Sequence, residues 1–573
     1  MRKIYKILFV LPLLLNSCLS GYEEINTNPL YPNDEHKNTD GVAAGAYFME
    51  FEKRVIPTRS SEGEGTDLPN RYQVAINLAA DNWAGYMSPM NNKFNGGANF
   101  TTNYLIEGWV NYAFSTFYTN IVNPWIQILD QTHVKQVENG TVTYQKKALS
   151  DQAIFSVAQI IKIMGLHRAT DTYGPLPYKG MGQGSLKLPY DSQEDIYKSF
   201  FVELQAAVQT LSEYQRQGGA NIASLVRFDA VYHGNVQRWI RLANSLMLRL
   251  AVRVRYVDEE LSRKWAAQAV ANPEGVITEV ADMAMLKSSA EQPFINSLEL
   301  LWHAYDDCRM GATIYSYLRG YNDPRAWTLF ARHESDKSNS YLKAVRTGIP
   351  TSPSADFYKD YSVPNVKNET PVYWFKASEV YFLQAEAALF GLIQGNPQQL
   401  YEDGITMSFK ENEVTLPANY LRSTARPAGY EDIKMAKYNA ESPSAVTVSW
   451  SDASSNEQKL EKIITQKYIA LFPDGQEAWT EWRRTGYPRQ VPVFVNRTDA
   501  AHGNVMESDG YKRGVRRMTF PKSEYDGLNR ENVIKAQQLL SSGVDDCNAR
   551  LWWDVKSSFK LIFNRIEYEK IFQ

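Results

Sequence analysis

The sequence predicts a mainly α fold, in which one scaffold of helical hairpins carries long loop-rich inserts. Patterns of apolar and small residues at helical spacing recur along the chain, and they come in neighbouring pairs. These pairs lie near residues 152/196, 237/258, 378/401 and 461/477. Four long stretches lack such a pattern, namely residues 57–102, 275–323, 333–370 and 415–458. Segments of that length without regular structure are usually functional, so we expect them to form an irregular face on the helical scaffold.

The N-terminus predicts an export signal followed by a lipid anchor. Its first residues are basic, and residues 7–15 are apolar but too few to cross a bilayer. Residues 15–18 are Leu-Asn-Ser-Cys, which matches the lipobox of bacterial lipoproteins and marks Cys18 for acylation. An ordinary signal peptide with a chance cysteine is the alternative. We expect residues 1–18 to be the signal, 19–40 a flexible tether and 41–573 a single domain.

Composition limits the classes of partner and of chemistry. A net charge of -3 on 573 residues argues against a nucleic-acid partner. The seven histidines show no metal-ligand spacing, so neither a metal site nor a cofactor is expected. With Cys18 acylated, Cys308 and Cys547 could form a disulfide, but nothing in the sequence brings them together. The 35 Tyr and 13 Trp exceed what a core needs and suit a binding face built by stacking and hydrogen bonding.

Each predicted hairpin has its own local signals. The helix over residues 152–169 should stop at Tyr173-Gly174-Pro175, and Asp191-Ser192 with Asp195 should cap a helix over 196–213. Residues 237–257 form an arginine-rich amphipathic helix. Residues 378–391 and 401–413 form a helix–turn–helix whose small residues permit close crossing, as in tetratricopeptide hairpins that have lost their strict repeat.

The densest stretch covers residues 463–488. It predicts a core-facing helix that Pro473 and Gly475 end, and then a short helix that carries Glu477 and Glu481 on one face. Its Trp, Glu and Arg residues allow two interpretations. One is a sugar site with aromatic platforms and paired carboxylates, and the other, which we favour, is a buried corner of ion pairs and packed rings.

Several segments together resemble one family. They are RATDTYGPLPY at 168–178, RWIRLANSLMLRLAVRV at 238–254, NDPR at 322–325, AEAALFG at 385–391, QKYIALFPDGQEAWTEWRRTGYP at 466–488, VRRMTFPKSEY at 515–525 and DDCNARLWWD at 545–554. Jointly they resemble the signatures of the SusD/RagB family, the surface glycan-binding lipoproteins of Bacteroidetes. The signature residues should satisfy buried polar groups or close helix ends; these are Asp171, Asn244, Arg249, Glu386, Arg484 and Asp554.

The resemblance implies a location, a cargo and a partner. It implies an outer-membrane protein held by its lipid anchor, and Glu23 and Glu24 after the cysteine resemble a surface-export signal of Bacteroidetes lipoproteins. It implies capture of an oligosaccharide or polysaccharide and its delivery to a SusC-like TonB-dependent transporter. It also implies that the ligand face lies on the inserts rather than on the helical repeats.

The first candidate for this face is residues 81–104. Trp83 and Tyr86 precede a loop rich in Asn and Gly that carries Phe94 and Asn95. Aromatic rings can stack on sugar rings, and amides both donate to and accept from hydroxyls. The alternative is that Trp83 and Tyr86, three residues apart at the end of a helical pattern, belong to the core.

The second candidate is residues 301–327. Trp302 and Tyr305 could present rings to one side, while Asp306, Asp307 and Arg309 supply hydrogen bonds. The alternative is a solvated polar loop over a helix start. The sequence does not decide which insert dominates.

Other functional classes remain as hypotheses. A glycoside hydrolase would need a pair of carboxylates, for which Asp306 with Asp307 or Glu477 with Glu481 could be offered, but neither pair resembles a catalytic motif. We therefore expect a binding protein rather than an enzyme. The same architecture could capture peptides or another nutrient, or the helical repeats could serve only as a protein-binding scaffold.

Overall fold

The computed structural model describes residues 42–59, 67–90, 93–185, 187–290, 292–338, 340–350, 356–498 and 514–556. The predicted signal, Cys18 and the predicted tether lie outside these residues, as do Asn91 and Asn92 of the first insert.

Helices dominate the described residues. We number the α-helices in chain order: α1 Val42–Val55, α2 Asp67–Tyr72, α3 Glu107–Phe114, α4 Asn120–Thr132, α5 Leu149–Tyr173, α6 Gln193–Arg216, α7 Val236–Arg253, α8 Glu259–Ala271, α9 Ser297–His303, α10 Ala312–Gly320, α11 Ala326–Leu329, α12 Ala377–Leu389, α13 Pro397–Glu411, α14 Asn456–Leu471, α15 Gly475–Thr485, α16 Lys522–Asp526 and α17 Arg530–Ala536. A π-helix, Gln73–Asp81, continues α2.

The strands are few and short. They are β1 Met87–Ser88, β2 His133–Glu138, β3 Thr141–Lys146, β4 Ala284–Leu286, β5 Arg309–Met310, β6 Phe330–Ala331, β7 Val363–Pro364 and β8 Val372–Phe375. They pair antiparallel as β1–β5, β2–β3, β4–β8 and β6–β7, and none of these sheets has more than two strands.

The predicted hairpins are confirmed. Helix α5 packs on α6, α7 on α8 and α12 on α13, while α14 contacts α15 across its short turn. The Ser192 hydroxyl caps α6 by accepting a hydrogen bond from the Asp195 amide at 3.1 Å. A further packed pair, α1 with α4, was not predicted from the sequence. The fold is therefore the expected mainly α scaffold of helical hairpins.

Helix α5 illustrates how deeply this scaffold is buried. By length and composition alone it is apolar enough to cross a membrane, and 67% of its most apolar window lies inside the protein, as in a core helix. Its C-terminal cap, Gly174, has a φ of 84°, which a residue with a side chain rarely adopts. Gly174 thus ends α5 where the sequence predicted its stop.

The inserts contain more helix than the sequence pattern indicated. Helices α9 and α10 have 7 and 9 residues, shorter than the windows in which an amphipathic period can be recognised. The π-helix Gln73–Asp81 is buried along seven of its nine residues, so it shows no polar face. The loop-rich inserts predicted over 57–102 and 275–323 thus also contain short helices.

The turn between α14 and α15 is a buried corner of charges, as the favoured interpretation of residues 463–488 predicts. Every residue of α15 is buried. Arg253 of α7 pairs with Asp171 of α5 at 2.5 Å and with Glu477, while Arg484 pairs with Glu481 at 2.7 Å. Arg253 thereby links α5 and α7 to α15, whereas the Arg484–Glu481 pair lies within α15. The signature residues Asp171, Asn244, Arg249, Glu386, Arg484 and Asp554 are at most 1% exposed, which confirms their expected burial.

Two small apolar clusters lie beside the main core. One joins Met90 of the first insert to residues of the later inserts, namely Val345, Ile349, Tyr358, Tyr361 and Tyr438. The other packs Tyr190 against the C-terminal helices. Cys308 and Cys547 are both buried and are not joined to each other, so the disulfide considered above is not formed.

Candidate functional site

The structure brings the two candidate inserts together. Strand β1 pairs with β5 through Met87↔Met310 and Ser88↔Arg309. Outside these strands, Lys93 Nζ lies 2.6 Å from Asp307 Oδ1, so an ion pair also joins the two inserts. We call the surface formed by Lys93, Phe94, Asn95, Trp302, Tyr305 and Asp307 the insert face.

The Phe94 ring lies on a tightly turned loop. Asn95 is exposed and has a φ of 48°, in the left-handed region that asparagine tolerates better than most residues. Its amide donates to the Ala98 carbonyl at 2.7 Å, and the Asn99 amide donates to the Phe94 carbonyl at 2.8 Å. Phe94 is half-buried with its edge against Trp109, at a centroid distance of 5.5 Å. The Phe94 ring is thus held in place and partly exposed to solvent.

Trp302 and Tyr305 present two further half-buried rings. Trp302 lies on α9, and its indole nitrogen donates to the Val366 carbonyl at 2.7 Å. The Tyr305 hydroxyl donates to Asn70 Oδ1 at 3.1 Å. Because the polar end of each ring is bonded to protein, what remains open is mainly apolar ring surface.

The carboxylate of Asp307 is fixed rather than free. It accepts from Gln73 Nε2 at 2.8 Å as well as from Lys93. Burial raises the pKa of Asp307, and the bonds from Lys93 and Gln73 partly offset that rise. Exposed Lys93 is the cationic group at the centre of the face.

Arg309, an expected ligand residue, is 0% exposed. Its guanidinium donates to the Cys308 and Lys359 carbonyls at 2.9 and 3.0 Å and also to Asp306. These bonds tie β5 to the segment around residue 359. The expectation is corrected: Arg309 supports the insert face from below, because protein atoms use its donors.

Trp83 and Tyr86 are also inside the protein, at 6% and 0% exposure. The Trp83 indole donates to the Phe100 carbonyl at 2.8 Å, and its ring lies 4.7 Å from that of Trp479. The Tyr86 ring stacks on Tyr468 at 4.5 Å. The structure thus corrects the ligand-platform expectation in favour of the core alternative, since neither ring has an open face. Phe94, Asn95, Trp302 and Tyr305 stay predictions.

The carboxylate pairs offered for hydrolysis are placed differently from each other. Glu477 and Glu481 are each 2% exposed, so no glycosidic bond can reach them in this conformation. Burial by itself raises the pKa of Glu477, but Arg253, Arg249 and Lys467 outweigh it and hold that pKa well below its usual range. Asp306 and Asp307 lie at the face, where Arg309 and Lys93 pair with them. Among the described residues no cluster of His, Cys, Asp and Glu could hold a metal ion.

Two aromatic residues at the surface escaped the sequence-based selection. Half-buried Trp109 of α3 supports Phe94 from a helix that the sequence pattern did not reveal. Trp327 of α11 is 44% exposed, more than any other tryptophan of the described residues. A signal for Trp327 was present, since it lies two residues after the Asn-Asp-Pro-Arg turn at 322–325.

Comparison with known proteins gives one consistent result. The family model described as SusD-like, "Susd and RagB outer membrane lipoprotein", matches residues 24–554. A chitin-binding SusD homologue from Flavobacterium johnsoniae is 33% identical with a TM-score of 0.79, over 90% of this chain and 99% of that one. No curated protein sequence matches the chain.

Two further solved structures have similar extents. A SusD homologue from Bacteroides uniformis is 31% identical with a TM-score of 0.76, over 90% of this chain and 99% of that one. One from Bacteroides vulgatus is 30% identical with a TM-score of 0.77, over 89% and 98%. With the family model spanning nearly the whole chain and the helical-hairpin fold shared throughout, the chain belongs to the SusD-like family of outer membrane lipoproteins.

Proposed function

We propose that the protein is a surface lipoprotein that captures an oligosaccharide on the insert face and delivers it to a SusC-like TonB-dependent transporter. The single observation that carries the proposal is the insert face itself. Three half-buried rings, Phe94, Trp302 and Tyr305, lie on two inserts that β1–β5 pairing and the Lys93–Asp307 ion pair hold together.

The chemistry of this face suits a sugar. The apolar faces of pyranose rings gain free energy by covering aromatic surface, and the exposed Asn95 and Lys93 can bond to hydroxyls. On an open face much of the ligand stays exposed to solvent, so we expect modest affinity. The chitin-binding relative supports a carbohydrate as the class of cargo.

The same face does not favour catalysis. Asp306 and Asp307 are adjacent in the chain and each is bonded to a cation, so neither is arranged as a proton donor opposite a free base. We therefore propose binding without bond cleavage. Acylation of Cys18 would hold the protein at the outer membrane, where a transporter partner could receive the cargo.

The experiment is affinity electrophoresis of the chain lacking residues 1–18 in gels that contain plant, host-mucosal or microbial polysaccharides. We expect retardation by one polysaccharide class and a loss of about tenfold or more in affinity for the Trp302→Ala and Phe94→Ala variants. Tyr214→Ala is the matched control, because Tyr214 is a half-buried ring on the helical scaffold at the end of α6. Thermal unfolding confirms that each variant folds.

The outcome separates the remaining hypotheses. If no polysaccharide retards the folded chain, sugar capture is refuted, and cargo of another chemistry or a protein-only scaffold becomes the better description. If retardation occurs but Tyr214→Ala lowers it as much as Trp302→Ala, sugar binding stands and its assignment to the insert face falls.

A further inference from the structure

A second aromatic surface lies around Trp327. Trp327 projects from α11, a short helix that buried groups fix in place. The preceding Arg325 is fully buried and donates to Asp323 at 2.6 Å, to Ser408 at 2.8 Å and to Gln466 at 3.0 Å. The backbone under Trp327 is thus anchored to the scaffold while its ring remains in solvent.

The ring is part of an ordered aromatic group. The edge of Tyr341 meets Trp327 at a centroid distance of 5.5 Å and an interplanar angle of 74°. Tyr315 of α10 continues the group at 6.2 Å from Tyr341. Such edge-on packing holds Trp327 in one orientation and reduces the entropy that ligand binding would cost.

Two arginines flank these rings. The guanidinium carbon of Arg332 lies 5.2 Å from the Trp327 centroid, and that of Arg319 lies 4.7 Å from the Tyr341 centroid. Both side chains are exposed. Arg332 is oriented by two hydrogen bonds to the Ser340 carbonyl, at 3.1 and 2.7 Å, which leave its other terminal nitrogen open.

Neither guanidinium has a carboxylate within ion-pair distance in the part of the chain that the structure describes. Two nearby acidic groups are used elsewhere: Asp336 pairs with Lys343 at 2.8 Å, and Asp323 pairs with Arg325. Exposed Glu431 lies close enough to Tyr315 to interact with it electrostatically. The surface therefore offers two guanidinium groups beside an exposed tryptophan, and neither is in an ion pair with a described carboxylate.

We propose that Arg319, Trp327, Arg332 and Tyr341 form a subsite for a carboxylate-bearing sugar, such as a uronic acid within a polysaccharide. A guanidinium binds a carboxylate through two parallel hydrogen bonds, and the indole ring can stack on the sugar that carries it. A neutral sugar would use the ring and leave both cations unpaired. The inference rests on the proposed sugar capture and names the class of sugar.

One contact ties the segment that carries Arg332 to the second insert. Arg332 is followed by His333, whose Nε2 lies 3.9 Å from Asp306 Oδ1, next to the Asp307 carboxylate of the insert face. A polysaccharide that crosses Phe94 and Trp302 could therefore extend toward Trp327 along one side of the protein. Charged and neutral contacts would then alternate along the chain of sugars.

The test uses polygalacturonate, alginate and hyaluronan as probes, each beside its methyl-esterified form, which keeps the backbone and removes the charge. Affinity electrophoresis of the chain lacking residues 1–18 should show retardation by at least one acid form and at least tenfold weaker retardation by its ester. The Trp327→Ala variant and the Arg319→Gln/Arg332→Gln double variant should lose the same tenfold. Arg216→Gln, at an exposed arginine on α6, should bind like the unaltered chain.

The outcomes separate this inference from the proposed function. Equal retardation by acid and ester forms overturns the charge recognition, even though sugar capture stands. Binding of neutral polysaccharides alone overturns the acidic subsite in the same way. An acid-specific retardation that survives the double variant places the carboxylate elsewhere and refutes this subsite, whereas a chain that binds no polysaccharide at all refutes the proposed function itself.

Discussion

Replacement of Arg484 by methionine tests the view that the charges around α15 are structural. Arg484 is 0% exposed and makes four hydrogen bonds to two carboxylates. It reaches Glu386 twice at 2.7 Å, and it reaches Glu481 at 2.7 and 3.0 Å. Methionine fills a similar volume without charge, so the variant leaves two buried carboxylates with fewer partners.

The magnitude follows from the geometry and from one pKa. Removal of one partner from a buried ion pair costs about 3–5 kcal/mol. Burial by itself raises the pKa of Glu481, but Arg484, Lys467 and Arg253 together hold it at about 2 instead of 4.5, which corresponds to about 3 kcal/mol at neutral pH. Lys467 and Arg253 still lie 3.5 and 3.3 Å from Glu481 in the variant. We therefore expect a loss near the lower limit, about 3 kcal/mol.

The assay is urea unfolding followed by tryptophan fluorescence at pH 7, with Arg216→Met as the control. Arg216 pairs with Glu213 at the surface, and its side chain is 73% exposed, so its loss should cost well under about 1 kcal/mol. The Arg484→Met variant should unfold at clearly lower urea with an unchanged dependence on urea concentration. If its loss matched that of Arg216→Met, the claim that these charges hold the helices together would be refuted.

The pH dependence has a definite sign. The folded-state pKa of Glu481 lies below its unfolded value, so its contribution is present above about pH 4.5 and is lost as the pH falls toward 2. In the Arg484→Met variant that pKa moves back toward 4.5. The variant should therefore lose less stability on acidification than the unaltered protein does.

Two further predictions concern buried groups elsewhere. Burial and the neighbouring Asp229 raise the pKa of Glu52 well above 4.5, so its contribution to stability is present below pH 4.5 and is lost as the pH rises through the folded-state value. Glu52→Gln should remove this loss. In thermal unfolding, the melting temperature of the variant relative to that of the unaltered protein should therefore increase as the pH is raised. An unchanged difference would contradict the raised pKa of Glu52. A Cβ added to Gly311 would lie 2.5 Å from the Gly85 carbonyl oxygen, so Gly311→Ala should cost about 1–3 kcal/mol. At Gly108 an added Cβ would meet no neighbouring atom within 4 Å, and alanine favours the helix more than glycine does. Gly108→Ala should therefore be neutral or stabilising by up to about 1 kcal/mol. Equal effects of the two substitutions would contradict the packing argument.

Features that depend on residues close in sequence were predicted well. The stop of α5 at Gly174, the Ser192 cap of α6 and the break before α15 all appear where the sequence placed them. Helix periodicity and capping use contacts within a few residues, so a local pattern is enough to reveal them. Short helices such as α9 carry no such pattern and were missed.

The aromatic residues show the limit of the same reasoning. Trp83 and Trp327 are both tryptophans beside polar inserts, yet Trp83 is 6% exposed and Trp327 is 44% exposed. Nothing within a few residues of Trp83 indicates that Trp479, far along the chain, covers its ring. Whether a ring binds a ligand or fills the core depends on which distant segment packs against it.

Local spacing and short motifs were enough to identify the family, the mainly α scaffold and the places where helices begin and end. The fold sets which candidate side chains reach the surface. It paired β1 with β5, so that Lys93 reaches Asp307, and it buried Tyr86 and Arg309 while leaving Trp302 partly open. The burial of a side chain depends on contacts with segments that are distant in the sequence, so it cannot be predicted from the neighbouring residues alone.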